Sequence, residues 1–213
     1  MILWGRSSAF NVQKVQWLLA ELGLEFEHRA VGGAYGGLDT PEFRALNPHG
    51  RIPVIQDGDV VIWESHAILR YLAARYSRGA LWSDDPALRS EFERWMDWSQ
   101  SSLQPAFMRL FWGYYRTPES RRDPRQVEGA RRDCDACFQA LDARLAQHDF
   151  LAGASFSLAD VPAGATLFRY LHMGLEVPRH PHVDAWFARL ASREPYRTRV
   201  MVPFEDLRGR LEF

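Results

Sequence analysis

The chain has 213 residues, of which 46% are hydrophobic and 25% are charged, and its formal net charge is −1. This length suffices for one or two domains with a buried core, and the composition excludes a disordered chain, a collagen-like chain and a disulfide-stapled mini-protein. Because the net charge is close to zero, nucleic acid and anionic membrane surfaces are disfavoured as partners, and we expect small molecules instead.

No stretch of the chain approaches 18 consecutive apolar residues, and the segment MILWGRSSAF lacks the apolar run and cleavage site of a signal peptide. We therefore expect a cytoplasmic protein. The two cysteines, Cys134 and Cys137, lie in a segment of helical periodicity with no His or Cys nearby at zinc-finger spacing. We expect buried thiols in preference to a redox pair, and no metal site.

The first 76 residues alternate short apolar runs with helical stretches. A strand is predicted over Ile2 to Trp4, and apolar side chains recur at helical spacing from Val12 to Leu22, until Gly23 ends the helix. A second strand is predicted over Glu25 to Val31. After a glycine-rich loop, Thr40–Pro41 predicts the start of another helix, with a capping hydroxyl and a first-turn proline.

Two further strands are predicted over Val54 to Gln56 and Val60 to Trp63, joined by a tight turn at Asp57-Gly58. Ser65 then begins a helix that carries apolar residues on one stripe as far as Tyr76. The resulting order, β-α-β-α-β-β-α, is that of thioredoxin-like domains. The sequence therefore predicts an α/β N-terminal domain of thioredoxin-like fold.

The second half of the chain has helical periodicity throughout, which predicts an all-α C-terminal helical bundle. The segment 77–86, SRGALWSDDP, breaks the periodicity and is predicted as the linker between domains 1–78 and 86–213. Ser157 and Asp160 form a capping box, which we assign to folding. Helices are predicted over 88–110, 123–147, 158–174 and 181–193.

Several motifs in their order resemble those of the cytosolic glutathione S-transferases. They are NPHGRIPVI at 47–55, WESHAILRYLAARY at 63–76 and SLAD at 157–160, while GRSSAFNVQKVQWLLAELGLEFE at 5–27 is similar to a bacterial branch of that family. The resemblance spans nearly the whole chain. It implies a cytoplasmic, homodimeric detoxification enzyme that uses glutathione as co-substrate and needs no metal.

The resemblance also assigns contacts to the three parts of the glutathione tripeptide. It implies a cis peptide before Pro53, with backbone groups of Ile52 against the cysteinyl unit. Ser65 is expected to hold the γ-glutamyl carboxylate at a helix start, where free N–H groups bind anions. Glu64 is expected to take the γ-glutamyl ammonium, and Arg51 the glycyl carboxylate. Considered singly, each of these residues also has a purely structural explanation. Ser65 is then a helix cap, and Glu64 and Arg51 are solvent-exposed surface charges.

Activation of glutathione requires its thiolate, although an unperturbed thiol is mostly protonated at neutral pH. In this branch of the family a Ser usually stands two places before an Asn, and here that position is Ala9. Asn11 is therefore the preferred hydrogen-bond donor to sulfur, with Ser8 as the hydroxyl alternative and the backbone N–H groups of this loop as a third. The competing interpretation makes Asn11 a helix cap.

Aromatic residues are expected to contact the electrophile. Phe10 follows the activating loop, and Phe111, Trp112 and Tyr115 lie on the first long helix of the second half. A flat apolar or aromatic electrophile suits such a surface. Aromatic residues at helical spacing are, however, more often part of the core.

Three functions are compatible with these residues. The leading prediction is transfer of the glutathione thiolate to a small apolar or aromatic electrophile. The alternatives are a glutathione-dependent disulfide or peroxide reductase, which uses the same thiolate, and a non-catalytic glutathione-binding module, which Ala9 favours if it marks a lost activating group. Comparing conjugation with reduction of a mixed glutathione disulfide separates the two enzymes, and glutathione affinity without any rate above that in solution would support the binding module.

Overall fold

The computed structural model of the protein describes residues 1–79 and 81–212, which form two compact units. The first contains Met1–Trp82 together with Glu212, and the second is Ser83–Leu211. The division falls inside the segment predicted as a linker. Ala80 of that segment, and Phe213 at the end of the predicted second domain, lie outside the described residues. Within the described part of the chain, no helix is both long and apolar enough to cross a membrane.

The first unit is built on a mixed sheet of four strands, counted over the described residues. The strands are β1 Ile2–Trp4, β2 Glu27–Arg29, β3 Val54–Asp57 and β4 Val60–Trp63. Their order in the sheet is β2-β1-β3-β4. β1 runs parallel to β2 and antiparallel to β3, and β3 and β4 form a hairpin. The hairpin turn lies at Gly58 and Asp59, one residue later than expected, and Gly58 has a φ of +61°.

Three α-helices connect and follow these strands, so the predicted order β-α-β-α-β-β-α is confirmed. They are α1 Phe10–Glu21, α2 Pro41–Leu46 and α3 Ser65–Tyr76. Helices α1 and α3 pack against each other through fully buried apolar side chains. β2 is shorter than predicted because it lies at the sheet edge, where β1 is its one neighbour and offers three residues for pairing.

The second unit is helical, as predicted. The helices are α4 Pro86–Trp98, α5 Gln104–Leu110, α6 Pro124–Leu145, α7 Asp160–His172, α8 Pro181–Ala191 and α9 Glu194–Arg199. Between α4 and α5, and again after α5, the helical backbone continues through wider π-type turns at Ser99–Leu103 and Phe111–Arg116. The short helix α9 was not predicted as a separate element.

A buried carboxylate organises the start of α7. Asp160 is fully buried, and its two oxygens accept hydrogen bonds from Ser157 N and Oγ at 2.9 and 3.1 Å, from Leu151 N at 3.0 Å and from Trp186 Nε1 at 3.0 Å. Burial raises the pKa of Asp160 to about 6, against the four hydrogen bonds, which favour the ionised form. The capping motif therefore has the folding role that its sequence predicts.

The two cysteines face the interior of the second unit. Cys134 is fully buried and Cys137 is half-buried, and both are free thiols. Desolvation by burial raises the pKa of both thiols above the ordinary range. Both are accordingly poor nucleophiles, which agrees with the prediction of inert buried thiols.

Candidate active site

The residues predicted to bind and activate glutathione all lie in the first unit, on three neighbouring segments. The loop between β1 and α1 packs closely at Gly5 against two neighbours, Ile52 in the segment before β3 and Val12 in α1. A Cβ atom added to Gly5 would lie 3.2 Å from Cβ of Ile52 and 2.6 Å from Cγ2 of Val12. Gly5 has a φ of +142°, and its N–H donates to Arg29 O at 2.9 Å. Only glycine fits this position without moving the loop or the helix.

The loop between β1 and α1 leads into a helix whose first residue is Phe10. Ala9 precedes it with extended backbone angles, and its methyl group supplies no capping hydrogen bond. Ser7 Oγ accepts a hydrogen bond from Gln16 Nε2 at 3.2 Å, and Ser8 is half-buried. No acidic side chain occupies the first turn of α1. The positive end of the helix dipole is therefore not neutralised by a side chain of its own first turn.

Asn11 is the second residue of α1, so it is not the cap of this helix. Its side chain is half-buried, and its Oδ1 is a buried acceptor without a hydrogen-bond partner in the described part of the chain. An unsatisfied buried amide oxygen costs on the order of 1–3 kcal/mol. Such groups are uncommon in folded proteins, and water, an ion or a ligand commonly completes their bonding. The carboxamide is thus not used to close the helix end.

The segment that precedes β3 is held by a buried asparagine. Asn47 Nδ2 donates to Arg51 O at 2.8 Å, and its Oδ1 accepts from His49 N at 3.0 Å. These two hydrogen bonds fold the chain back immediately before the Ile52-Pro53 peptide, which is cis, as the resemblance implies. The Arg51 side chain is exposed, Ile52 is half-buried, and Pro53 is buried. Asn47 therefore fixes the backbone on which the predicted contacts with glutathione lie.

The junction between β4 and α3 has unusual backbone geometry. Glu64 has a φ of +69°, a conformation that is uncommon outside glycine and that clusters at functional sites. Its side chain is exposed and makes no capping hydrogen bond to α3. Ser65, the first residue of the helix, is buried. The structure thus presents an exposed carboxylate and a buried hydroxyl side by side at the N-terminus of α3.

Side-chain capping varies along the chain, because α2, α4 and α6 are capped whereas α7, α8 and α9, like α1 and α3, are not. Thr40 Oγ1 accepts from Phe43 N at the start of α2, as its sequence predicts. Asp85 and Asp123 accept from backbone N–H groups at the starts of α4 and α6. The helix starts that carry Asn11 and Ser65 lack such a side-chain cap, so their N–H groups have capacity for an anion.

A buried cation lies between α1 and α3. Lys14 is fully buried, its Nζ lies 3.3 Å from Nε2 of His66, and it sits 4.6 Å from the centre of the Phe10 ring. Desolvation lowers the pKa of Lys14 to about 7, although the nearby carboxylate of Glu64 raises it. Desolvation, Lys14 and Arg70 together lower the pKa of His66 to about 2. The imidazole is therefore neutral, and the lysine titrates near neutral pH.

The aromatic residues predicted to contact the electrophile differ in exposure. Phe10 is buried. Phe111 is buried in a stack with Phe107 and Tyr115, with ring centres 5.5 and 5.1 Å apart. Tyr115 is also buried, and its ring lies 5.0 Å from that of Phe204. Phe111 and Tyr115 thus belong to the aromatic core of the second unit.

Trp112 has a different environment from these core residues. It is half-buried, and the guanidinium of Arg116 lies 4.5 Å from the centre of its ring. It lines an open cavity of about 510 Å³ within the second unit, next to the ion pair of Arg109 and Asp133, whose N···O distance is 2.7 Å. The other lining residues are Gly113, Thr117, Gln126, Gly129 and Ala130. Trp112 is therefore accessible to a small molecule.

Metal chemistry has no evident site here. Over residues 1–79 and 81–212, no three His, Cys, Asp or Glu side chains are grouped so that they could hold an ion.

Sequence reasoning missed two residues of this region. Asn47 stands in the quoted motif NPHGRIPVI, and an Asn before Pro is a turn signal that would have pointed to its role. Lys14 is the only lysine in the chain, and it lies on a helix whose neighbouring residues are apolar or amide. Its partner His66 is 52 positions away, so no local pattern indicates their contact.

Comparison with protein families gives matches on both units. The family model described as glutathione S-transferase, N-terminal domain, matches residues 1–74, and that described as glutathione S-transferase, C-terminal domain, matches residues 103–194.

Individual relatives match along almost the full chain. Glutathione S-transferase GstB of Escherichia coli is 37% identical over 203 residues, which are 94% of this chain and 98% of the relative. Glutathione S-transferase 3 of Zea mays is 34% identical and matches 93% of this chain and 92% of its own length. Among solved structures, the theta class glutathione S-transferase of Xanthomonas axonopodis pv. citri, with glutathione bound, is 44% identical with a TM-score of 0.90. That match covers 95% of this chain and 97% of the other.

Proposed function

Because the chain belongs to the glutathione S-transferase family, we propose that residues 1–78 bind glutathione and that Asn11 stabilises its thiolate for transfer to a small electrophile. The enzyme is a glutathione transferase, and glutathione is its co-substrate. The observation that carries the assignment of Asn11 is its position, because its carboxamide lies in the first turn of α1, next to a helix start that no side chain caps.

The energy required for thiolate formation is modest. An ordinary thiol has a pKa near 8.5, and each unit of lowering corresponds to about 1.4 kcal/mol. A hydrogen bond to a charged acceptor contributes roughly 1.5–3 kcal/mol, and a helix N-terminus adds on the order of 0.3–1 kcal/mol. One carboxamide donor from Asn11 and the uncapped start of α1 therefore lower the thiol pKa by roughly 1–3 units, which raises the thiolate to a substantial fraction at neutral pH.

We assign sulfur activation to Asn11 in preference to Ser8. Asn11 lies on the regular first turn of α1, and its backbone is therefore fixed in position relative to the helix end. Ser8 lies in the loop two residues before the helix. A rigidly held donor loses less conformational entropy when it binds the developing anion. The backbone N–H groups at the start of α1 act as additional donors.

The two ends of the tripeptide match the remaining predicted residues. The γ-glutamyl carboxylate is proposed to bind Ser65 and the N–H groups at the uncapped start of α3, and its ammonium to bind the exposed Glu64. Arg51 is proposed to bind the glycyl carboxylate through its exposed guanidinium. Backbone groups of Ile52, beside the cis peptide with Pro53, are proposed to pair with the cysteinyl unit.

The electrophile is proposed to be a small apolar or aromatic molecule that residues 86–213 recognise. Of the predicted contact residues, Trp112 has a ring that a ligand can reach. Phe111 and Tyr115 are buried, and their proposed part is to hold Trp112 in place by packing beneath it in the core. Phe10, beside Lys14, would act from the start of α1. Aromatic surfaces of this kind bind flat apolar ligands through stacking and desolvation.

The protein is also proposed to be a cytoplasmic homodimer. Two adjacent large apolar side chains, Val60 and Val61, are exposed on the edge strand β4, at 45% and 37% of their full accessible area. Exposed apolar side chains on a sheet edge favour burial against a partner. Light scattering of the purified protein measures its molar mass and so tests whether it is a dimer.

A paired assay tests the proposed function. Calorimetric titration with glutathione measures binding, and the rate of conjugation of chlorodinitrobenzene measures transfer. We expect binding together with a conjugation rate above that of the same solution without enzyme. Binding without conjugation would contradict thiol transfer and, if the enzyme instead reduced a mixed glutathione disulfide, would favour the reductase. Absence of binding would contradict the whole assignment.

A further inference from the structure

The cavity beside Trp112 is kept open by two glycines on different helical segments. Gly113 lies in the π-type turns after α5, Gly129 lies within α6, and both line the cavity. A Cβ atom added to Gly113 would lie 3.8 Å from Cγ2 of Val127, which is an ordinary contact distance. One added to Gly129 would meet nothing within 4 Å in the described part of the chain. Both positions therefore have room for a side chain.

Neither the backbone nor the packing requires glycine at these two positions. Gly113 and Gly129 are not among the glycines that have a positive φ. Inside a helix, glycine is the least favourable residue apart from proline, and alanine is the most favourable. Alanine would fit at both places, yet the two glycines leave a space of about 510 Å³. That volume lies within the range of small-molecule binding sites.

Trp112 forms the aromatic wall of this space, and its own segment holds it in place. Its carbonyl oxygen accepts hydrogen bonds from Thr117 N at 3.0 Å and from Thr117 Oγ1 at 2.8 Å, which closes the π-type turn. The guanidinium of the buried Arg116 lies 4.5 Å from the centre of its ring. Turns of this type frequently occur at functional sites. A flat ring that is already held in position loses little entropy when a ligand stacks on it.

The cavity also carries an ion pair of zero net charge. Arg109 Nη2 donates to Asp133 Oδ2 at 2.7 Å, and both side chains are more than half exposed. The guanidinium has further N–H donors that this hydrogen bond does not use, so it is able to bind an oxygen acceptor of a ligand. A ligand carboxylate in that place would be repelled by Asp133, whereas a neutral amide, carbonyl or nitro oxygen would not.

We propose that this cavity binds a neutral, flat aromatic molecule, which stacks on Trp112 and presents an oxygen acceptor to Arg109. Asp133 disfavours aromatic acids, so the ion pair selects the charge of the ligand. Aromatic electrophiles carry acceptors of this kind, because nitro and carbonyl groups withdraw electrons from the carbon that a thiolate attacks. Binding to the cavity does not depend on the proposed function, whereas recognition of the electrophile through it does.

Benzamide and benzoate test the proposal, because they have nearly the same shape and differ in charge. Protein labelled with ¹⁵N-tryptophan gives indole signals from its eight tryptophans, and the signal that is missing in Trp112→Phe belongs to Trp112. We expect millimolar benzamide to shift that signal, and benzoate to bind about threefold or more weakly. A Trp112 signal that benzamide does not move, or that benzoate moves at lower concentration, would overturn the proposal.

Asp133→Asn tests the selection by charge. The substitution keeps the shape of the side chain and removes the negative charge beside Arg109. We expect benzoate to gain about threefold or more in affinity relative to benzamide, because the guanidinium is then a cation without a carboxylate partner in this contact. An unchanged ratio of the two affinities would overturn the role of the ion pair.

Gly129→Leu tests the cavity itself, with Ala136→Leu as the matched control. Ala136 is exposed on α6, two turns later, and does not line the cavity. We expect Gly129→Leu to weaken benzamide binding about tenfold or more, with an unfolding temperature no lower than that of the unmodified protein, and Ala136→Leu to bind normally. Unchanged binding in folded Gly129→Leu would overturn the proposal. Asp133→Asn, an exposed substitution, still decides it if the leucine disturbs folding.

Kinetics separate this inference from the proposed function. We expect benzamide to inhibit conjugation of chlorodinitrobenzene competitively toward that electrophile, and to inhibit Gly129→Leu far less. Benzamide binding without inhibition would overturn the part of the cavity in recognising the electrophile. Calorimetric titration with glutathione tests the proposed function by itself. If glutathione did not bind while benzamide shifted the Trp112 signal, the proposed function would be wrong and the binding site in the cavity would stand.

Discussion

The indole Nε1 of Trp186 donates a hydrogen bond of 3.0 Å to Oδ1 of Asp160, a residue 26 positions earlier in the chain. Both side chains are fully buried, and the same carboxylate also accepts from Leu151 N and from Ser157. This contact joins the beginning of α7 to α8, so one buried charge holds together elements that are separate in sequence. Its removal leaves several buried donors without an acceptor.

The first prediction concerns the stability of the second unit. Asp160→Asn keeps the shape of the side chain but places an NH₂ group against donors, so we expect a loss of about 3 kcal/mol in the free energy of unfolding. Urea denaturation measures it. The control is Asp149→Asn, an exposed carboxylate 3.8 Å from Arg189, for which we expect less than about 0.5 kcal/mol. Equal effects in the two variants would contradict the role of Asp160.

A second prediction follows from the low pKa of the buried lysine. The folded protein holds Lys14 with a pKa of about 7, whereas the unfolded chain holds it near 10.5, so the unfolded state binds more protons between these values. The free energy of unfolding should therefore rise with pH in this window, relative to Lys14→Met, by about 2 kcal/mol from pH 7 to pH 9. Denaturation of both proteins at the two pH values measures it. A difference between them that does not change with pH would contradict the burial of a titrating amine.

Two glycines with positive φ provide a matched pair for the third prediction. A methyl group on Gly5 would lie 2.6 Å from Val12 Cγ2, whereas a methyl group on Gly23, which has a φ of +65°, would meet nothing within 4 Å. Gly23→Ala adds backbone strain alone, about 1 kcal/mol. Gly5→Ala must also displace α1 from the segment at Ile52, so we expect a larger loss of stability and weaker glutathione binding. Equal losses, with glutathione affinity unchanged in both, would contradict the close packing at Gly5.

The order of the elements was predictable because local signals determine them. Thr40 and Pro41 mark the start of α2, and the hydroxyl does accept the expected hydrogen bond from Phe43 N. The hairpin between β3 and β4 follows from a glycine that takes a positive φ between two β-branched runs. These features depend on residues within a few positions of one another, where steric and hydrogen-bonding preferences act directly.

The environment of the site was less predictable because it depends on contacts distant in sequence. The proximity of Lys14 to His66, and the burial that makes the lysine titrate near neutral pH, exist only after α1 packs on α3. The burial of Phe111 and Tyr115 likewise depends on Phe204, some 90 positions later in the chain. Periodicity shows that such residues are helical, but it does not show which neighbours cover them.

A fourth prediction tests the proposed activating group. Asn11→Ala removes a carboxamide donor while leaving the backbone start of α1 in place, so we expect the pKa of bound glutathione thiol to rise by about one unit or more. At neutral pH, kcat/KM for conjugation should then fall by about tenfold. Ser8→Ala is the control and should retain most of the activity. The reverse result, with Ser8→Ala inactive and Asn11→Ala unaffected, would assign the role to the hydroxyl.

The central claim is that the first unit binds glutathione and lowers the proton affinity of its sulfur. The most direct test is a pH titration of the ultraviolet absorbance of thiolate in the complex of the unmodified enzyme with glutathione. We predict a midpoint at least about one unit below the ordinary thiol value near 8.5. A midpoint equal to that of free glutathione, measured at saturating ligand, would contradict the account.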